Sequence, residues 1–202
     1  MIAIVDYGMG NIHSVKKALE SMGAQTIVTD NPKDLSRAEK IVFPGVGSFG
    51  DAVVELKKRS LDTAIKKQVE SGKIFLGICL GMQVLFEKSM ESHKAAGLGL
   101  LKGSVDKFEA SQKLKVPHMG WNQITKTSND CRLLKDMPDN SYVYFCHSYY
   151  VNPADKKIIA ASCDYGDNFA AVVWKDNLYG LQFHPEKSQA AGLKIVKNFV
   201  EM

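Results

Sequence analysis

Ile74-Phe75-Leu76-Gly77-Ile78-Cys79-Leu80-Gly81-Met82-Gln83 is the stretch from which the fold can be read. Its apolar start has the character of a buried strand, and Met82 to Phe86 reads as the start of a helix. A cysteine between small residues at a strand-to-helix junction is the thiol version of a nucleophile elbow. The sharp turn carries the side chain out of the sheet. Gly77 and Gly81, two positions to either side, let neighbouring backbone pack close. A helix N-terminus behind the sulfur favours its thiolate. Taken alone, the stretch also reads as a core cysteine before a glycine turn, so its meaning depends on the rest of the chain.

Upstream, Ile2-Ala3-Ile4-Val5, Gln25 to Thr29 and Lys40-Ile41-Val42-Phe43 are short strand-like runs. Between them lie a helical pattern with Ile12, Val15, Leu19 and Met22 on one face, closed by Gly23, and a turn or short helix from Asp30-Asn31-Pro32. Asp51 to Leu61 and Asp62 to Glu70 read as helices ending at Ser71-Gly72. The alternation predicts an α/β fold with a doubly wound, mostly parallel sheet. Three glycine loops then fall at the carboxyl ends of strands, where such sheets place their active sites: Asp6-Tyr7-Gly8-Met9-Gly10-Asn11, Pro44-Gly45-Val46-Gly47-Ser48-Phe49-Gly50, and the cysteine elbow. The first has only GxG, with no third glycine and no well-placed acidic residue after the next strand, which argues against a dinucleotide site. In the second, interleaved glycines leave the N–H groups of Val46 and Gly47 free to turn toward a ligand, as an oxyanion hole requires; a plain strand-to-helix turn is the alternative.

Downstream, Glu87 to Gly103 reads as irregular. Short β-rich runs follow at Ser104 to Phe108, Lys113 to Val116, Trp121 to Thr125, Tyr142 to Phe145, Ile158 to Cys163, Ala170 to Trp174 and Leu178 to Phe183. They predict antiparallel strands beside or extending the parallel sheet in the C-terminal half. Pro117-His118-Met119-Gly120-Trp121-Asn122 reads as a loop rich in large side chains, and His147-Ser148-Tyr149-Tyr150 as a cluster at a strand end. Ser188 is positioned to cap a closing helix whose apolar side includes Leu193, Ile195, Val196 and Phe199.

The 202 residues suit one domain spanning positions 1–202. The net charge of +4 is spread along the chain; its densest run, Lys57-Lys58-Arg59, reads as a solvated helix face and not as a nucleic-acid site. No stretch is long and apolar enough to span a membrane, and the N-terminus enters a strand without signal-peptide character. Cys79, Cys131, Cys146 and Cys163 show no CxxC pair and no compact metal-ligand spacing, which predicts reduced thiols in a cytoplasmic protein and no metal.

A nucleophilic cysteine needs a base and a group to orient that base. Of His13, His93, His118, His147 and His184, only His184 joins a strand end to a carboxylate two residues on. In extended backbone these side chains share a face, and Pro185 holds the turn, so Glu186 can accept from the imidazole.

The elbow, the glycine loop and His184-Pro185-Glu186 together resemble the class I, triad-type glutamine amidotransferases, over essentially the whole chain. The Pro-Gly-Val-Gly loop and His118-Met119-Gly120-Trp121-Asn122, with Asp6 to Asn11, His147 to Tyr150 and Gln182 to Ser188, are similar to its histidine-biosynthesis branch. Cys146 departs from the pattern, standing where an aliphatic residue is expected; a buried strand position would tolerate it. The resemblance implies a flavodoxin-like core and glutamine hydrolysis by Cys79, His184 and Glu186. The oxyanion would be met by the N–H of Leu80 and an N–H of Val46 or Gly47. Gln83, Ser148 and Tyr149 would hold L-glutamine, and no cofactor would be needed. It also implies a partner in a heterodimer, a (β/α)8-barrel cyclase that receives the ammonia, docked near Asn11, Met119, Trp121 and Lys187. Docking would turn an N–H of the Pro-Gly-Val-Gly loop into the oxyanion hole. Two alternatives stay open: a paralogous glutaminase that feeds a different synthase, for example in surface-sugar amidation, and a catalytically silent scaffold subunit.

Overall fold

A computed structural model describes residues 1–109 and 114–202 of the chain. Its first half alternates as expected: β1 (Ile2–Val5), α1 (Ile12–Ser21), β2 (Thr26–Thr29), α2 (Pro32–Arg37), β3 (Lys40–Gly45), α3 (Phe49–Lys58), α4 (Leu61–Glu70), β4 (Ile74–Cys79) and α5 (Leu80–Gln83). All four residues of β1 are buried, as a strand covered on both faces requires. Val15, Ala18 and Leu19 form the buried stripe of α1, and Gly23 follows that helix with φ +85°. Asn31 caps α2 and Ser48 caps α3, each accepting from a backbone N–H two or three residues on.

The second half contains β5 (Lys88–Ser89), β6 (Gly103–Lys107), β7 (His118–Lys126), β8 (Ser141–His147), β9 (Tyr149–Pro153), β10 (Ile159–Tyr165), β11 (Asp167–Lys175), β12 (Leu178–Leu181) and α6 (Gln189–Glu201). Nine strands form one sheet in the order β2-β1-β3-β4-β12-β11-β10-β7-β8. The first five run parallel, and the others extend the sheet antiparallel. A small second sheet, β5-β6-β9, lies beside it. Apolar clusters cover the two faces of the large sheet. Among the described residues no helix is long and apolar enough to cross a membrane.

Several local expectations are corrected. The helix expected from Met82 to Phe86 is only Leu80–Gln83. Beyond it the carbonyls of Val84, Leu85 and Phe86 accept from the N–H groups of Leu98, Leu101 and Gly99, so a helix has no carbonyls left to use. The segment from Glu87, read as irregular, contributes Lys88–Ser89 to the small sheet. Of the strand expected over Lys113 to Val116, Lys113 lies outside the described residues and the other three are not in a strand. Pro117 to Asn122, read as a loop, becomes strand from His118 onward, paired with β8 in register His118↔His147. Its buried His118 and exposed Met119 and Trp121 follow the two-residue period of a strand, a signal that Pro117 and Gly120 disguised. β12 ends at Leu181, two residues early. Ser188 does precede α6, but its hydroxyl caps nothing there: it donates to His184 O at 2.6 Å and accepts from Tyr144 N at 2.9 Å. It is spent on holding the turn that carries His184.

Candidate active site

Cys79 is the last residue of β4 and has φ 54°, ψ −111°, a conformation that L side chains rarely adopt. The elbow is held by close backbone packing. A Cβ on Gly81 would collide with the carbonyl of Phe43, and one on Gly77 would lie 2.6 Å from Gly81 O. One on Gly45 would lie 2.9 Å from Gly81 N. β3, β4 and α5 can therefore meet only because these three positions lack side chains.

β12 lies parallel to β4 with Leu181 opposite Ile78, so the chain leaving β12 passes beside Cys79 and delivers His184 to the same edge. His184 Nδ1 donates to Glu186 Oε1 at 2.9 Å; the two side chains are 4% and 1% exposed. Burial by itself pushes the imidazolium down. Hydrogen bonds to Cys79 and Glu186, with their charges, outweigh it and hold the group up at about 10.

The sulfur opens into a cavity of about 310 Å³. Nine of the residues singled out in the sequence line it: Val46, Gly47, Cys79, Leu80, Gln83, Ser148, Tyr149, His184 and Lys187. Glu186 stands behind His184, outside the cavity wall. Tyr7 donates its hydroxyl to Val46 O at 3.1 Å, which anchors the glycine loop at the rim; burial pushes that phenol well up. Gln83 lines the cavity, and its Nε2 donates to Tyr149 O at 2.9 Å and to Gln182 Oε1 at 3.2 Å. Asn11, Met119 and Trp121 lie outside the cavity. Met119 and Trp121 are 61% and 46% exposed, and Trp121 packs edge-on to Tyr144, whose ring carries Lys187 Nζ at 5.7 Å.

Four further residues complete the wall: Glu91, which sequence reasoning missed, and Pro117, Cys146 and His147, which it named without a site role. Cys146 is half-buried and faces the cavity, not the core as expected. Glu91 Oε2 accepts from Phe49 N, the first N–H of α3, at 2.7 Å. It sits in the segment read as irregular, so no periodicity flagged it. His147 pairs with His118 through Nε2 and Nδ1 at 3.0 Å. Burial, the largest influence on each, pushes His118 down to about 4 and His147 to about 3. Among the described residues no three His, Cys, Asp or Glu side chains gather to hold a metal ion.

A cysteine at a strained elbow and a buried histidine–carboxylate pair just beyond the end of the neighbouring parallel strand are the groups that a thiol nucleophile and its base would need. A family model described as glutamine amidotransferase class-I matches residues 3–202. Solved structures agree in fold: PurLQS from Thermotoga maritima superposes with a TM-score of 0.77 at 22% identity, covering 99% of this chain and 96% of that one. The glutaminase domain of Trypanosoma brucei CTPS superposes with a TM-score of 0.70 at 17% identity, covering 99% and 93%. Curated relatives are more similar. Imidazole glycerol phosphate synthase subunit HisH of Gloeothece citriformis is 48% identical over 201 residues, covering 99% of this chain and 95% of the relative. The HisH subunit of Bacillus subtilis is 47% identical over 206 residues, covering 100% and 96%. The chain belongs to the class I glutamine amidotransferases and, within them, to the family of HisH subunits.

Proposed function

We propose that this chain is the glutaminase subunit of an imidazole glycerol phosphate synthase, acting in histidine biosynthesis as a single domain in the cytoplasm. The observation that carries the reading is the convergence of Cys79 with the buried His184–Glu186 pair on one cavity. Cys79 as thiolate attacks the side-chain amide carbon of L-glutamine. Its oxyanion is met by the N–H of Leu80 and by an N–H of the Val46–Gly47 loop. His184 gives its proton to the leaving ammonia while Glu186 holds the ring. Water, deprotonated by the same imidazole, then cleaves the thioester to glutamate and restores the thiolate. No cofactor enters these steps.

Ser148, Tyr149 and Gln83 are assigned to holding glutamine. Glu91 is the one acidic side chain on the cavity wall among the described residues, and we assign it to the substrate ammonium group. The ammonia passes to a (β/α)8-barrel cyclase in a heterodimer, which uses it to make imidazole glycerol phosphate and an aminoimidazole carboxamide ribotide. The exposed Met119 and Trp121, with Lys187 and Asn11, form the docking face; aromatic and methionine side chains are enriched at the cores of such interfaces.

The test is reconstitution with the cyclase and its ribulosyl aminoimidazole carboxamide phosphate substrate, following glutamate release. Stimulated release is the expected result. Inertness beside a cyclase that is active with free ammonia would favour a paralogue serving another synthase.

A further inference from the structure

We propose that Gln182, which the catalytic scheme above leaves unused, is a positioning residue for the nucleophile: its amide N–H faces Cys79 Sγ because the backbone carbonyl of Tyr149 fixes the polarity of the hydrogen bonds that lead to it. The proposal rests on Cys79 being the nucleophile.

A carbonyl oxygen can only accept hydrogen bonds. Two side chains reach Tyr149 O: His147 through Nδ1 at 2.8 Å and Gln83 through Nε2 at 2.9 Å. Both must therefore donate. On one branch, a neutral His147 protonated on Nδ1 has a bare Nε2, which accepts from His118 Nδ1 at 3.0 Å. His118 Nε2 is then bare in turn and faces Asn122 Nδ2 at 3.4 Å, an amide oriented by its bond to Asp164 O at 2.9 Å. Both imidazoles are buried and pushed well below neutrality, so near pH 7 each carries the single ring proton that this chain requires.

On the other branch, Gln83 presents Nε2 to Tyr149 O and gives its second hydrogen to Gln182 Oε1 at 3.2 Å. That leaves Gln182 Nε2 facing Cys79 Sγ at 3.7 Å. A flipped Gln182 would set two donors against each other at one end and a carbonyl oxygen against the thiolate at the other. Gln182 is completely buried and absent from the cavity wall, so it acts on the sulfur and not on the substrate. An N–H···S contact of this length is weak to a neutral thiol and strengthens when the sulfur carries charge. The titratable groups around Cys79 are His184 and Glu186 after β12, Tyr7 after β1 and His147 on β8, with Glu91, Cys146, Tyr149 and Lys187 on the wall. None is altered by changing Gln182.

The test is the pH dependence of Cys79 alkylation by iodoacetamide, read at the peptide level in the full chain for wild type, Gln182→Leu and Gln182→Glu. Removing the donor should displace the rate curve toward alkaline pH by about half a unit to one unit, a roughly three- to ten-fold slower reaction on its acid side. The Glu variant, which sets a carboxylate beside the thiolate, should displace it further. If the Leu variant does not fold, the near-isosteric Glu variant gives the reading. A folded variant whose curve coincides with wild type overturns the role of Gln182. A wild-type Cys79 that reacts no faster than the buried Cys131 overturns the nucleophile reading itself.

Discussion

His184 Nδ1 donates to Glu186 Oε1 across 2.9 Å, and Glu186 Oε2 has no hydrogen-bond partner among the described residues. The carboxylate is thus committed to one task, holding and charging the imidazole. Glu186→Gln keeps an acceptor and removes the charge. We expect kcat for glutamine hydrolysis in the complex to fall about 10- to 100-fold with little change in KM. The alkaline limb of the profile should move to lower pH, because part of what holds the His184 imidazolium at about 10 is gone. Unchanged kinetics would remove Glu186 from the triad.

The backbone of Cys79 sits where glycine is comfortable and a side chain is not. Cys79→Gly should therefore be more stable to urea than Cys79→Ala by about 1 to 2 kcal/mol, the reverse of the usual order. Both variants should lose glutamine-dependent synthesis in the complex and keep synthesis from added ammonia. A glycine variant less stable than the alanine one would show that the elbow is unstrained.

Gly81→Ala sets a methyl group against the Phe43 carbonyl, which belongs to a central strand and cannot move aside. A loss of about 3 kcal/mol or more is expected in urea unfolding. Gly72→Ala meets nothing within 4 Å and suffers only from its φ of +88°, so about 1 kcal/mol is expected there. Equal losses at the two sites would refute the packing account of the elbow.

His118 and His147 are held neutral in the fold, pushed down to about 4 and 3, chiefly by burial. The unfolded chain protonates them below its ordinary value near 6.5. Their contribution is therefore intact above about 6.5 and is lost as pH falls toward 4 and 3. Melting temperature should drop across that range in wild type and drop less steeply in His118→Gln, which cannot titrate. Parallel curves would count against the buried neutral pair.

Trp121 is half-exposed on the stretch of β7 that pairs with the edge strand β8, and its ring packs edge-on to Tyr144. Trp121→Ala should change unfolding free energy by about 0.5 kcal/mol or less while weakening cyclase binding about ten-fold or more, measured by titration of stimulated glutamate release. Undiminished binding would place the docking face elsewhere.

The parallel half of the sheet was legible because its strands are short apolar runs punctuated by glycine loops, and local sequence marks both. The elbow and the histidine–glutamate pair were legible because each is local: Cys79 with Gly77 and Gly81, His184 with Pro185 and Glu186. β7 was not, since Pro117 and Gly120 carry turn signals that pairing with β8 overrides. Glu91 was not, since nothing nearby marks it and only the fold carries its carboxylate to the N-terminus of α3.

The sequence by itself determined the alternation of strand and helix, the candidate nucleophile and its candidate base, and the edge of the sheet to which they belong. Only the tertiary structure decided that β12 lies directly beside β4, so that residues more than a hundred positions apart share one cavity. It alone decided that Tyr149 O orients His147 on one side and Gln83 on the other. The physical reason is that strand and turn propensities act over a few residues, whereas hydrogen-bond polarity in a buried network is set by whichever acceptor the packed chain brings within 3 Å.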